Sequence, residues 1–246
     1  MCTLVLLRRP AAAWPLLLAA NRDELASRPS RPPGRHWEDR PHVRGGLDLE
    51  AGGTWLGVND DGIVAAVLNR RGTLGPEPGK RSRGELVLEA LDHAEAYHAA
   101  DALRALDPAA YRPFNLIVAD AVDAFWLRHA GTGAIEMRPI PEGLHMIEAG
   151  ELDDPASPRI ARFLPQFRFV PTPDPAARDW ASWQALLAER ASPTGEPRDA
   201  MCIVTEGPYG TVSSTLLALP RYASEPVIWL HAEGRPGEAV FAPVPA

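Results

Sequence analysis

The order of the predicted elements indicates an α+β fold in which stacked sheets are covered by helices. Short apolar segments bounded by Gly, Pro and Asp occur before, between and after two helical stretches, which gives the order strands, helices, strands, helices, strands. The chain is 46% hydrophobic and 23% charged, the composition of a soluble globular protein. Neither an internal repeat nor a clear linker interrupts it, so residues 1–246 are predicted to form a single domain.

The first half of the chain holds two predicted strand pairs and two predicted helices. Residues 2–8 pair with 15–20, and residues 54–58 pair with 63–68 across a turn whose Asp61-Gly62 tolerates a positive φ. Between the pairs, Pro, Arg and Gly predict a long loop from 28 to 53. Ser82-Arg83-Gly84-Glu85 is a predicted capping box that begins a helix ending near 91, and a second helix covers 94–106.

The second half returns to strands, helices and strands. Trp180 and Trp183 lie three residues apart in a predicted helix and are expected to face the core. Cys202 lies in an apolar strand pattern and is expected to be buried. The predicted strands are 114–119, 124–127, 135–137, 144–147, 201–205, 211–217, 226–231 and 239–241, and the predicted helices are 158–167 and 177–190.

The distribution of charged residues indicates which classes of binding partner are expected. A net charge of −7 argues against a general nucleic-acid-binding protein. Residues 1–83 nevertheless carry 13 basic and 9 acidic side chains, against 12 and 23 in the remainder. This basic N-terminal third suits an anionic small-molecule ligand, although an ordinary solvated surface explains it equally well. No apolar run is long enough to span a membrane, and no oligomeric state is indicated.

The cysteine and histidine content predicts a cytoplasmic protein without a structural metal. Only Cys2 and Cys202 occur, which is no disulfide framework. The seven histidines form no close His/Cys cluster with zinc-ligand spacing. Arg8-Arg9 before an apolar stretch resembles a twin-arginine export signal, but Pro10 and Pro15 interrupt that stretch, and two paired strands are the favoured interpretation.

Cys2 is the strongest candidate for a catalytic residue, because it directly follows the initiator Met1. Removal of Met1 would leave a thiol and a free α-amine on one residue, and such a pair combines a nucleophile with its own base. Both groups titrate close to neutral pH in unperturbed form. The alternative is a small apolar residue that begins a strand.

Two polar segments follow apolar strands, where a scaffold commonly presents functional groups. Asn21-Arg22-Asp23-Glu24 comes directly after the strand ending at residue 20, and Asn69-Arg70 comes directly after Leu68. The amide of an asparagine at such a strand end is able to donate a hydrogen bond to a developing oxyanion. The alternatives are a turn with an exposed charge pair and an asparagine that ends a strand.

Taken together with Met1-Cys2, these segments resemble the NRDE proteins, also called the transport and Golgi organisation protein 2 family. The matching motifs occur in the same order from residue 1 to about 220. They are Met1-Cys2, Ala19 to Glu24 with Ser27-Arg28-Pro29, Gly52 to Gly57, Leu68-Asn69, Ser82 to Val87, Phe114 to Asp120, and Tyr209-Gly210-Thr211 with Ser214-Thr215.

The resemblance extends to N-terminal-nucleophile hydrolases of the bile-salt hydrolase and penicillin V acylase branch. It implies a four-layer αββα sandwich. It also implies that Cys2 is the nucleophile, that Asp23 holds the α-amine, that Asn69 occupies the oxyanion-hole position, and that Arg22 lowers the pKa of the thiol. Asn21, Glu24 and Arg70 are then candidate ligand-binding residues.

Two function classes follow from the resemblance. The first is a cysteine hydrolase that acts on a linear amide or thioester without a cofactor. The second is a binding protein on the same scaffold, with haem or acyl-CoA as ligand, because relatives are linked to Golgi organisation, secretion and haem handling. Relatives often carry Ser-Asn where this chain has Glu148-Ala149, and Arg where it has Val212, and these departures favour a different substrate or binding without turnover.

Overall fold

The computed structural model describes residues 2–245 and shows thirteen strands and four α-helices within them. The helices are α1 (Gly84–Leu91), α2 (Ala96–Arg104), α3 (Pro158–Phe169) and α4 (Ala181–Leu187). The strands are β1 (Thr3–Arg8), β2 (Leu16–Leu25), β3 (Ser30–Gly34), β4 (Val43–Asp48), β5 (Leu56–Asn59), β6 (Val64–Asn69), β7 (Phe114–Ala119), β8 (Ala124–His129), β9 (Glu136–Pro139), β10 (Gly143–Ile147), β11 (Tyr209–Leu219), β12 (Ile228–Ala232) and β13 (Ala242–Pro243).

The strands form two antiparallel sheets. Sheet A has six strands in the spatial order β10, β1, β2, β11, β12, β13. Sheet B has seven strands, β3 to β9, which lie side by side in the order of the chain. The longest pairing joins β2 to β11, and it contains an irregularity between Thr211 and Ser213.

Three cores arrange the two sheets and the helices into four layers. Because successive side chains of a strand point to opposite faces, β1 and β2 contribute to two cores at once. Leu4, Leu6, Leu16 and Leu18 pack against sheet B. Their neighbours in sequence, Val5, Leu7, Leu17 and Ala19, pack against α3 and α4.

Helices α1 and α2 cover the outer face of sheet B, where Leu86, Leu91 and Leu103 pack on strand residues such as Leu116. The predicted α+β class and the helix-sheet-sheet-helix layering are therefore confirmed. Trp180 and Trp183 lie in the core between sheet A and its helices, as expected, and Cys202 is fully buried.

Four predictions along the chain are wrong. Residues 21–24 do not follow a strand but belong to β2, and the predicted strand 239–241 is absent because β13 begins at Ala242. The segment 28–53 is not a loop, because it contains β3 and β4. Pro32 and Pro33 conceal β3, which tolerates proline because it lies at the edge of sheet B. Residues 201–205 do not form a strand. Two of their backbone groups bond to side chains instead: the Met201 carbonyl accepts a hydrogen bond from Asn21, and the Ile203 amide donates to the Thr211 hydroxyl.

The predicted capping box at the start of α1 forms only in part. The Gly84 amide donates to the Ser82 hydroxyl at 3.2 Å. The Glu85 carboxylate pairs with Arg81 rather than reaching back to Ser82, and the cap residue is Arg83, one residue later than predicted.

No helix in residues 2–245 has the length and apolar character that crossing a membrane requires.

Candidate active site

Cys2 directly precedes β1, beside the core between the two sheets. Its side chain is half-buried and packs against the core between the sheets. Register places Thr3 opposite Asn21 across the β1–β2 pair, so Cys2 comes next to the polar end of β2. The Cys2 Sγ lies 4.0 Å from the main-chain oxygen of Asp23.

A cleft of about 230 Å³ opens beside Cys2. Of the residues predicted to form the site, Arg22, Glu24 and Asn69 line this cleft together with Cys2. Asn69 is the last residue of β6, and no protein group of residues 2–245 forms a hydrogen bond with its side-chain amide. The predicted nucleophile and the predicted oxyanion donor therefore share one cleft.

Arg22 is placed by Trp55 and Ser30. Its guanidinium carbon lies 3.9 Å from the centre of the Trp55 ring, a cation–π geometry, and its Nη1 donates to the Ser30 hydroxyl at 2.9 Å. Burial lowers the pKa of Arg22. Burial raises the pKa of the Cys2 thiol, and the charge of Arg22 opposes this rise without reversing it. The expected lowering of the thiol pKa is thus present as a contribution but is not the net effect.

Asp23 points away from the cleft, toward the helices of sheet A. Its Oδ1 accepts a hydrogen bond from the Thr211 hydroxyl at 2.6 Å, and its Oδ2 lies 3.6 Å from Nη1 of Arg159. Burial raises the pKa of the Asp23 carboxyl, while Arg159 and Thr211 act in the opposite direction. Its predicted partner, the α-amine exposed by removal of Met1, depends on a residue outside those that the structure describes.

Arg159 lies between the carboxylates of Asp23 and Glu148. This fully buried arginine of α3 lies 3.5 Å from Oε2 of Glu148, whose Oε1 accepts from the Ser157 hydroxyl at 2.6 Å. Arg159 also donates to the Thr3 hydroxyl at 2.5 Å. Glu148 is therefore part of a buried charged network behind β1 and β2, on the face opposite the cleft.

Asn21 and Arg70 do not line this cleft, although Asn21 lines a smaller pocket beside Cys2. Their role as ligand-binding residues stays a prediction. The Asn21 amide donates to the carbonyls of Leu187 and Met201, each at 2.9 Å, and its oxygen accepts from Ser214. Its side chain thus ties β2 to β11 and to the end of α4.

Arg70 turns toward the segment that follows β10. It donates to Asn115 at 2.7 Å and pairs with Glu151 at 2.5 Å. The same Asn115 accepts from the Trp126 indole at 3.1 Å, which explains the Phe114-Asn115 motif as structural.

Sequence reasoning missed Arg83 and underestimated Trp55, both of which line the cleft. Nη1 of Arg83 donates to the Thr73 hydroxyl and the Pro113 carbonyl, and its Nη2 donates to the Thr73 carbonyl. Burial lowers its pKa to about 10, so it stays charged at neutral pH. Arg83 lies in the predicted capping box, and Trp55 lies in the predicted strand 54–58.

A close backbone contact brings these two motifs together. A Cβ on Gly53 would lie 2.6 Å from the Gly84 carbonyl carbon, and the Thr54 amide donates to the Gly84 oxygen at 3.3 Å. Glycine at 53 and 84 therefore lets the segment before β5 touch the start of α1. This contact brings together the segments that carry Trp55 and Arg83, both of which line the cleft.

The cleft is basic. Six basic and three acidic residues line it, namely Arg22, Arg28, Lys80, Arg81, Arg83 and Arg112 against Glu24, Asp48 and Glu77. Arg28 is paired with Asp48 at 2.8 Å and Arg112 with Glu77 at 3.3 Å. Within residues 2–245, neither Arg22 nor Arg83 forms an ion pair with a carboxylate.

No cluster of three or more His, Cys, Asp and Glu side chains in the described part of the chain is arranged to hold a metal ion.

Comparison with known proteins identifies the family and the fold. The model of the family described as transport and Golgi organisation 2 matches residues 1–224. The chain belongs to this family. It is 40% identical over 120 residues to the mouse transport and Golgi organization 2 homolog, covering 44% of this chain and 40% of that protein. The human homolog is likewise 40% identical, over 118 residues. The match thus spans less than half the length of these curated relatives.

Solved structures of hydrolases share the architecture. A Caenorhabditis elegans ortholog of N-acylethanolamine-hydrolyzing acid amidase superposes with a TM-score of 0.64 at 14% identity, covering 92% of this chain and 94% of that one. A mutant conjugated bile acid hydrolase from Clostridium perfringens gives a TM-score of 0.56 at 10% identity, covering 99% and 92%. At these identities the likeness shows the fold, which is the αββα sandwich of the N-terminal-nucleophile hydrolases.

Proposed function

We propose that this family member is a cysteine hydrolase of the N-terminal-nucleophile type, acting on a linear amide or thioester through an acyl-Cys2 intermediate. The observation that carries the proposal is that Cys2, which adjoins sheet A, and Asn69, which belongs to sheet B, line one cleft. The fold shared with amidases supports it.

The reaction begins with attack of the Cys2 sulfur on the substrate carbonyl. Burial raises the pKa of the thiol, so the thiol is protonated at neutral pH and needs a base. The α-amine of Cys2, free once Met1 is removed, accepts this proton and passes it to the departing nitrogen or sulfur. The Asn69 amide and a backbone N–H stabilise the tetrahedral oxyanion.

Water then attacks the acyl-Cys2 intermediate, the sulfur–carbon bond breaks, and the thiol regains its proton. Asp23, held by Thr211 and close to Arg159, fixes the position of the amine from behind the strand pair. Arg22 and the other basic residues of the cleft favour an anionic small-molecule substrate. The mechanism requires neither metal nor cofactor.

A mass adduct on Cys2 tests the proposal. A reactive thioester is expected to add its acyl group to Cys2 in the untagged protein, and Cys2→Ser is expected to abolish this adduct. Asn69→Ala should slow acylation by roughly 100-fold, the usual effect of losing one oxyanion donor.

Cys202→Ala is the matched control, because Cys202 is fully buried and lies outside the cleft. It should acylate like the unaltered protein. Acylation of Cys202 in place of Cys2 would contradict the role of Cys2 as nucleophile. An acylation rate unchanged by Asn69→Ala would contradict the role of Asn69 as oxyanion donor.

The raised pKa of the Cys2 thiol favours a second candidate, binding without turnover. In that case the cleft holds an anionic ligand such as haem or acyl-CoA, in a role connected with the transport and Golgi organisation that names the family. A Soret shift on mixing with haem, or affinity for acyl-CoA, that is unchanged in Cys2→Ala would support binding over hydrolysis.

A further inference from the structure

A narrow apolar slot leads from Cys2 into the space between the two sheets. Its volume is about 20 Å³, and its apolar wall includes Leu4, Ala20, Leu56, Ala66 and Leu68. A cavity needs a volume of roughly 10–15 Å³ to hold one water molecule, so the slot accommodates a group about the size of a methyl.

The slot ends in packed core. Leu4, Leu56 and Leu68 are each 2% exposed, and Leu6 and Val58 are fully buried in the same core between the sheets. Close-packed interiors resist the opening of a channel between them, because every displaced side chain loses its contacts. A long acyl chain therefore has no path between the sheets from Cys2.

On the other side of Cys2, the surroundings are charged rather than apolar. There the cleft of about 230 Å³ is basic and carries the unpaired charges of Arg22 and Arg83. The volume is about tenfold that of the slot. Arg22 and Trp55 line both the slot and the cleft, so their stack marks the boundary between them.

We infer that the substrate is a short-chain acyl compound, acetyl-sized, whose leaving group carries a carboxylate or phosphate. This inference rests on the proposed hydrolase function and specifies its substrate class. The acyl methyl enters the slot, and the anionic leaving group lies in the cleft near Arg22 and Arg83. The Cys2 sulfur–carbon bond forms, the carbon–nitrogen or carbon–sulfur bond breaks, and the thiol proton leaves with the departing group. Water then releases the short carboxylic acid.

The acyl preference is tested on the unaltered protein with acetyl, butyryl and octanoyl thioesters of one thiol, 3-mercaptopropionate. Rates of Cys2 acylation are measured by intact mass and divided by the rates with free cysteine. The acetyl donor should exceed the octanoyl donor by at least about tenfold, because only the smaller group fits the slot.

Equal rates for the acetyl and octanoyl donors would overturn the inference while leaving the hydrolase proposal in place. Failure of every donor to label Cys2 would overturn both.

The charge preference is tested separately, with an anionic and a neutral alkylating reagent of similar size. The ratio of the iodoacetate rate to the iodoacetamide rate at Cys2 should be at least about fivefold the ratio for free cysteine, and it should fall as salt is added. Arg83→Met should lower it.

Arg104→Met is the matched control, since Arg104 lies on α2 and pairs with Asp101 at 2.6 Å, away from the cleft. A ratio equal to that of free cysteine, or one that salt does not change, would refute the anionic leaving group whether or not acyl transfer occurs.

Discussion

Burial against the core between the sheets is the largest influence on the pKa of the Cys2 thiol, the negative charge of Asp23 acts in the same direction, and the positive charge of Arg22 opposes both. Burial prevails and raises the pKa of the thiol. The residue is therefore a protonated nucleophile at neutral pH, unlike cysteines whose thiolate is stabilised by a nearby cation. In the proposed mechanism this makes the neighbouring amine necessary rather than auxiliary.

The raised pKa of the Cys2 thiol determines how its alkylation rate depends on pH. Because the pKa of Cys2 is raised, its thiolate fraction at neutral pH is below that of an ordinary thiol, and the iodoacetamide rate should still be rising above about pH 9. Peptide mass spectrometry separates Cys2 from the buried Cys202. A rate that reaches half its maximum near pH 7 would show an activated thiolate instead.

Buried histidine provides a second pH-dependent group. Burial, with a smaller effect from Arg22, lowers the pKa of His231 to about 4, and its Nδ1 lies 3.0 Å from the Thr215 hydroxyl. The unfolded chain binds this proton near pH 6.5, so the stabilising contribution is complete above pH 6.5 and is lost as the pH falls toward 4.

The free energy of unfolding should therefore fall by about 3 kcal/mol more between pH 7 and 4 in the unaltered protein than in His231→Asn. Denaturant titrations at the two pH values measure this difference. Parallel losses in both proteins would contradict the assignment to His231.

At the scale of elements, α3 is held to β2 and β10 by charge as well as by apolar contact. Arg159 lies among Ile160, Phe163 and Phe167, which pack in the core of sheet A, yet it faces the carboxylates of Asp23 and Glu148. Removing one partner from a buried charged network leaves the others uncompensated.

Arg159→Met should accordingly lower the free energy of unfolding by about 3–5 kcal/mol. Arg81→Met removes an exposed pair with Glu85 and should change it by less than about 1 kcal/mol. Urea denaturation measures both. A loss from Arg159→Met no larger than that from Arg81→Met would show that the buried network contributes little.

The contact between the segment before β5 and the start of α1 leads to a prediction about stability. Gly53→Ala would force a Cβ against the Gly84 backbone and should cost about 1–3 kcal/mol of stability, while altering the reactivity of Cys2. Gly207→Ala is the control, because the nearest atom to its added Cβ is 3.9 Å away. Equal stabilities of the two variants would contradict this packing.

Elements with strong local signals were predictable from the sequence, and those defined by distant partners were not. The hairpin of β5 and β6 was predicted because Asp61-Gly62 specifies its turn, and β7 was predicted to the residue. Strand β3 was missed because its prolines are tolerated only at a sheet edge, a property of the finished sheet.

The candidate site shows the same division. Cys2, Arg22 and Asn69 were found because they lie in recognisable motifs beside apolar strand segments, and the structure places them around one cleft. Arg159 was missed, although a charge at the core-facing spacing 159, 163, 167 was a visible signal. Two of its partners, Asp23 and Thr3, lie more than a hundred residues away in the sequence, and Glu148 lies outside its helix, so helical spacing alone did not indicate them.

At the scale of the whole molecule, strands β1 and β2 of sheet A pack against strands β5, β6, β7 and β8 of sheet B in the core between the sheets. Cys2 is contributed by sheet A and Asn69 by sheet B, so the cleft exists only while the two sheets are packed together. That residues 1–246 form one domain stays a prediction, and it implies that the chain unfolds in a single cooperative transition.

Urea unfolding should give one transition by both far-ultraviolet circular dichroism and tryptophan fluorescence. The helices lie in both outer layers, and tryptophans occupy both the core between the sheets and the core beneath α3 and α4. Transitions at different urea concentrations would show that the two halves unfold independently.

The central claim is that a mature Cys2 forms a covalent acyl intermediate beside Asn69. Intact mass of the untagged protein, before and after incubation with acetyl 3-mercaptopropionate, tests it most directly. We predict a chain lacking Met1 that gains one acetyl group on Cys2 and then loses it to water. A chain that keeps Met1 and remains unlabelled would contradict the account.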